Sequence, residues 1–129
     1  MTTPNGSDRV VLDSSVWIEL LSGGSKAGEL ARYLEQEDRL LVPAIVIYEV
    51  YKKLAREHGL TSAERFLSQA LRLASVDLDA ALAAAAAQTS LEHGLAMADA
   101  IVYATARALE ARLITRDKHF RELPGVVWV

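Results

Sequence analysis

The stretch RVVLDSSVWIELL, residues 9–21, decides how this chain is read. An apolar run, Val10-Val11-Leu12, ends on a carboxylate, Asp13. Two serines follow, then Val16, Trp17, Leu20 and Leu21 at helical spacing. A short continuous apolar run bounded by polar residues is the pattern of a strand buried on both faces, as in a parallel sheet. Ser14 or Ser15 is placed to cap the following helix over 14–22, and Gly23-Gly24 to stop it. One carboxylate at the tip of such a strand can be a helix cap. Several at equivalent places make a site.

Working outward, the same alternation repeats. A helix is expected over 26–37, with Leu30, Ala31 and Leu34 on one face, then a strand, RLLVP, at 39–43 closed by Pro43. The segment 44–58 reads as a helix that begins apolar, ends basic and stops at Gly59. Thr61 and Glu64 have the spacing of a capping box for the next helix. SVDL at 75–78 reads as a third strand, and the alanine-rich run 79–92, ended by His93-Gly94, as a closely packed helix. A helix over 97–111, a strand RLIT at 112–115 and a last strand VVWV at 126–129 complete the pattern. Strands alternating with helices predict an α/β fold, with a central parallel sheet of four to five short strands flanked by helices. Residues 1–8 read as a mobile lead-in without the basic-then-apolar pattern of a signal peptide, and 9–129 as a single domain.

Composition limits the function classes. A chain of 129 residues, 51% of them hydrophobic, has the material for one substantial core. No stretch approaches the roughly 18 continuous apolar residues of a membrane span. There are no cysteines, hence no disulfide and no thiolate metal site, in keeping with a cytoplasmic location. The net charge of −3 is unusual for a nucleic-acid binder. Bound cations or a local basic patch would have to offset it.

Ligands of open parallel sheets bind beyond the carboxyl ends of the strands. Asp13 follows the first strand there, and Asp117 follows the fourth in LITRD. Asp99 lies in the first turn of its helix in AMADAIVYATA, and Glu49 is the only charge in the apolar run 44–51. Each has an ordinary explanation. Asp13 and Asp117 can cap the segments after them, Asp99 suits a helix N-terminus, and Glu49 can pair with Lys53 one turn on. Glu49 fits its explanation worst, because its apolar flanks predict a nearly buried turn, where an unpartnered carboxylate is costly. Carboxylates converging at one sheet edge would repel and raise one another's pKa. A hard divalent cation removes that conflict, and an all-oxygen donor set without clustered histidines points to Mg²⁺ or Mn²⁺. Such a site suits phosphodiester hydrolysis. Arg116, Lys118, His119 and Arg121 around Asp117, and Lys52, Lys53 and Arg56 after Glu49, are candidates to hold phosphates.

The blocks VVLDSSVWIELL (10–21), VPAIVIYEV (42–50), MADAIVYATARALEARLITRDKHF (97–120) and the closing VVWV together resemble the PIN-domain ribonucleases, and within them the VapC toxins of toxin–antitoxin pairs. The resemblance implies a PIN-like three-layer domain and carries the family's acids to Asp13, Glu49, Asp99 and Asp117 as catalytic and metal-holding residues. Thr115 matches a polar position beside the metal site. With Ser14, Arg116 and Lys118 it makes a candidate substrate-binding set. The resemblance also implies Mg²⁺- or Mn²⁺-dependent cleavage of an RNA substrate, homodimers, and a small VapB-like antitoxin laid across the active-site groove. Three alternatives stand beside it. One is a PIN nuclease of RNA processing outside toxin–antitoxin systems. Another is a non-catalytic binding module on the same fold. The third, from another class, is a phospho-receiver domain, whose paired acids after the first strand are here Asp13-Ser14-Ser15.

Overall fold

The structure, a computed structural model, describes residues 8–129. The expected lead-in falls outside the described residues, except for Asp8. Five parallel strands form one sheet: β1 (Val10–Leu12), β2 (Leu40–Pro43), β3 (Ala74–Val76), β4 (Arg112–Thr115) and β5 (Val126–Trp128), in the order β3-β2-β1-β4-β5. The central strands are Val/Leu-rich because both their faces are covered. Every residue of β1 and β2 is buried, and in β4 only Arg112 is not. Val10 pairs with Leu40 on one side and with Arg112 on the other.

Six helices cover the sheet: α1 (Ser14–Leu21), α2 (Ala27–Leu30), α3 (Ala44–His58), α4 (Leu60–Ala70), α5 (Ala80–His93) and α6 (Met97–Ala108). Connections run one way from β1 to β3 and the other way from β3 to β5. Right-handed crossovers therefore place α1–α4 and α5–α6 on opposite faces. Packing agrees. Trp17 of α1 meets Phe66 of α4 edge to face at 5.4 Å, while Tyr103 of α6 stacks on Phe120 at 6.4 Å. The crossovers diverge between β1 and β4, which makes their carboxyl ends the topological switch point where such folds bind ligands. Receiver domains of the flavodoxin-like kind use the order 2-1-3-4-5, so the strand order removes the phospho-receiver alternative.

Several local expectations are corrected. The helix expected over 26–37 is one turn of α2 followed by 3-10 turns at Ala31–Glu35 and Glu37–Arg39, because Leu30 is its only fully buried anchor. α1 takes Asp13, not a serine, at its N-cap position. No capping box forms before α4: the helix starts directly after Gly59, and Glu64 accepts the Tyr51 hydroxyl at 2.7 Å. β3 lies at 74–76 rather than 75–78. α5 runs 80–93 and is capped by Asp79, whose carboxylate accepts Leu82 N–H at 2.8 Å. It is not closely packed all round, since only Ala86 is buried. α6 ends at Ala108, not 111, and β5 ends at Trp128.

Candidate active site

Asp13 continues the strand it ends. Its N–H donates to the Ile114 carbonyl at 2.9 Å, so the β1–β4 ladder runs one residue beyond β1. The backbone at 13 is extended, and the side chain makes no cap hydrogen bond into α1. Asp13 is 4% exposed. Its Oδ2 accepts the Ser15 hydroxyl at 2.9 Å and the Thr115 hydroxyl at 2.8 Å. Both hydroxyls have second partners: Thr115 Oγ1 accepts Asp117 N–H at 2.9 Å, and Ser15 Oγ accepts Arg116 N–H at 3.1 Å. A buried carboxylate at the tip of β1 is thus tied by two bridging hydroxyls to the loop that leaves β4.

The other acids converge on this point from three elements. Glu49 projects from α3, whose buried stripe is Val46, Val50 and Leu54, spaced four residues apart. The turn is less buried than its sequence suggests, because Tyr48 is 59% exposed. Lys53 pairs with Glu57 at 3.8 Å rather than with Glu49, and the nearby Ser14 side chain lowers the proton affinity of Glu49. Asp99 sits in the first turn of α6. Asp117 does cap the 3-10 turn Lys118–Phe120, its Oδ1 accepting His119 N–H at 2.9 Å. His119 Nδ1 lies 2.9 Å from the same oxygen, and ligand atoms of Asp99, Asp117 and His119 all fall within 4.8 Å of one another.

The electrostatic consequences follow from this crowding. Burial raises the Asp13 pKa most, its hydroxyl donors oppose the rise, and Asp117 adds to it. Glu49 is raised by burial first and then by the charges of Asp13 and Asp99. Asp99 is raised by burial, then by Asp117 and Asp13, with His119 opposing. Three carboxyls with raised proton affinity around one point need a counter-charge. Carboxylate oxygens with one imidazole at the rim fit a hard divalent cation.

All four acids and Ser14 line one cavity of about 550 Å³, which Lys52, Lys53 and Arg56 of α3 also line. The remaining expected substrate contacts lie elsewhere. Thr115 is fully buried beneath Asp13, so it holds that carboxylate and does not face a substrate. Lys118 is exposed outside the cavity wall. Arg116 Nη1 lies 3.0 Å from Glu19 Oε2, a contact of charge and proximity without hydrogen-bond alignment. Glu19 also accepts Lys26 N–H at 2.8 Å. Sequence reasoning passed over Glu19. Its signal was spacing, since Ser15 and Glu19 are one turn apart on α1 and hold the main chain and side chain of Arg116 respectively.

A model of the PIN domain matches residues 10–126. The chain belongs to the PIN domain family. Comparison with curated protein sequences finds no match. Among solved structures, this PIN domain is similar to a chain of a toxin–antitoxin complex from Klebsiella pneumoniae, with 25% identity, a TM-score of 0.78, and 92% of this chain and 95% of that one covered. It has the fold of Mycobacterium tuberculosis VapC20, described as a sarcin–ricin-loop-cleaving toxin (19% identity, TM-score 0.78, 93% and 98% covered). It also has the fold of a chain in DNA-bound VapBC from Salmonella typhimurium (16%, 0.74, 94% and 96%). Among the described residues of this PIN domain, no helix is long and apolar enough to cross a membrane.

Proposed function

We propose that this PIN domain is a metal-dependent endoribonuclease and the toxin of a toxin–antitoxin pair. The observation that carries the reading is the convergence of Asp13, Glu49, Asp99 and Asp117 on one cavity, three of them with raised proton affinity. Asp13, Asp99 and Asp117, with Glu49, would hold Mg²⁺ or Mn²⁺. Such an ion supplies charge neutralisation at phosphate and a water of lowered pKa. The protein's own contributions are separate. Thr115 and Ser15 fix the Asp13 carboxylate against rotation, so the site is formed before substrate arrives. Lys52, Lys53 and Arg56, which line the same cavity along α3, receive the phosphodiester and offset the net negative charge locally.

Two surfaces support the expected protein partners. A shallow apolar strip of Ile47, Tyr51, Ala55 and Leu67 adjoins the cavity through Tyr48, Lys52 and Arg56, which border both. An antitoxin segment seated on that strip would reach the acids. The outer face of α5 and α6 exposes Leu91 at 88% and Met97 at 74%, a surface suited to a homodimer contact. The similar chain in a toxin–antitoxin complex favours the toxin reading over an RNA-processing nuclease.

The deciding experiment is incubation of purified protein with total RNA in Mg²⁺, Mn²⁺ or EDTA, beside Asp99→Asn. Cleavage that needs the ion and disappears in the variant is expected. Equal cleavage by both proteins would overturn the site assignment.

A further inference from the structure

The amino ends of the same strands carry the opposite charge. A groove of about 200 Å³ opens there, lined by Arg32, Tyr33, Arg39 and Arg112 among others. The three arginines come from three elements: the 3-10 turn Ala31–Glu35, the residue before β2, and the first residue of β4. Register brings the last two together. Val10 lies between Leu40 and Arg112, so Arg112 is two strand spacings, about 10 Å, from the chain entering β2. Side chains from both positions reach into one groove.

These guanidiniums lack carboxylate partners. Among the described residues none of the three makes an ion pair, whereas Arg56, Arg72 and Arg116 each do. Glu37, on the turn that ends at Arg39, is engaged by Arg72 at 3.3 Å. Glu35 shares the groove and leaves a balance of three cations to one anion. Among the described residues the Arg32 side chain bonds only its neighbour: Nη2 donates to Tyr33 Oη at 3.3 Å and the guanidinium carbon stands 5.1 Å from the ring centroid. Planar guanidiniums that outnumber the groove's single carboxylate and do not pair with it offer forked donors suited to phosphate, and an aromatic with an adjacent guanidinium is a stacking surface for a base.

We propose that this groove is a second anion site, which binds the phosphate of a nucleotide unit between Arg39 and Arg112, with the base against Tyr33 and Arg32. The unit comes either from RNA reaching beyond the acid cavity or from a free nucleotide. The site does not depend on the nuclease reading, because binding is measured without cleavage.

The test uses the full chain carrying Asp99→Asn, so that RNA stays intact, with and without Arg39→Ala/Arg112→Ala. Arg65→Ala, an exposed arginine elsewhere, is the charge control. A fluorescein-labelled single-stranded RNA oligomer is titrated by anisotropy across salt concentrations, and adenosine 5′-monophosphate by calorimetry. If the unit belongs to RNA, the double variant weakens oligomer binding several-fold. Its log K against log salt then flattens by about 0.7, the value for one lost single-strand phosphate contact. If the nucleotide is free, mononucleotide binding falls at least tenfold in order of magnitude for two charge-assisted contacts, and oligomer binding does not change. Unchanged binding of both ligands overturns the proposal, as does an equal loss in Arg65→Ala. A melting curve matching the parent shows that the variant is folded, and Arg39→Lys/Arg112→Lys, which keeps charge and loses the fork, gives a second reading. RNA that binds through the groove but is never cut by the unmutated chain would sink the nuclease reading and leave this one standing.

Discussion

At the scale of the residue, the site depends on hydroxyls as much as on acids. Thr115 and Ser15 each touch Asp13 and also the main chain after β4, so removing one loosens both strand ends. Thr115→Val keeps the shape and deletes the bonds. It leaves a buried carboxylate with one donor fewer, at a cost of about 1–3 kcal/mol. It should lower both the urea midpoint and the cleavage rate; full activity at unchanged stability would show that Asp13 needs no fixing. Gly24 tests the neighbouring contact. A methyl group there would run into the Glu19 carboxylate. Gly24→Ala should therefore push Glu19 off Arg116 and Lys26, and the same loss of stability in Glu19→Ala would confirm the shared cause. The four acids were legible in the sequence because each sits at a strand tip or in an apolar helix turn. Glu19 was not, because a charge on an exposed helix face looks the same whether it points to water or to Arg116. Thr115 was legible only as a polar position, since its burial is decided by Asp13 above it and not by its neighbours in the chain.

Elements whose apolar spacing matches their period were readable. β1 and β2 are short, continuous and buried, and α3 shows its stripe at Val46, Val50 and Leu54. Elements held by tertiary context were not. β3 is an edge strand with two exposed residues, paired on one side only, so its position is set by β2 and not by its own composition. The alanine run misled in another way. Helix propensity predicted the helix but carries no information about which face is covered, and most of α5 faces outward. Its true start was marked by Asp79, a cap one residue before the alanines. Asp79→Ala removes that acceptor from Leu82 N–H and should cost about 1 kcal/mol. Thermal melting checks it. Asp79→Asn, which retains the acceptor, should recover most of the loss.

The whole molecule is polarised along its strands, with carboxylates beyond the carboxyl ends of β1 and β4 and arginines at the amino ends of β2 and β4. The acid end should be visible in stability without any assay of activity. Asp13, Glu49 and Asp99 all hold protons more tightly folded than unfolded. The folded state therefore binds more protons at pH values above the ordinary carboxylate range of about 4. Stability is fully present below the unfolded pKa values and is lost as pH rises through the raised, folded ones. In EDTA, Tm should fall from mildly acidic toward neutral pH, the reverse of a protein whose acids are held by salt bridges. Asp99→Asn removes one of the three charges and leaves its neighbours easier to ionise, so its melting profile should be flatter and its Tm at neutral pH higher than that of the parent. Mg²⁺ or Mn²⁺ should restore the parent's neutral-pH Tm, by binding the folded state alone, and do less for the variant. A Tm that rises with pH in EDTA, or an Asp99→Asn protein that melts lower at neutral pH, would mean that the acids are held by partners within the fold, and the cavity would then need no cation to balance it.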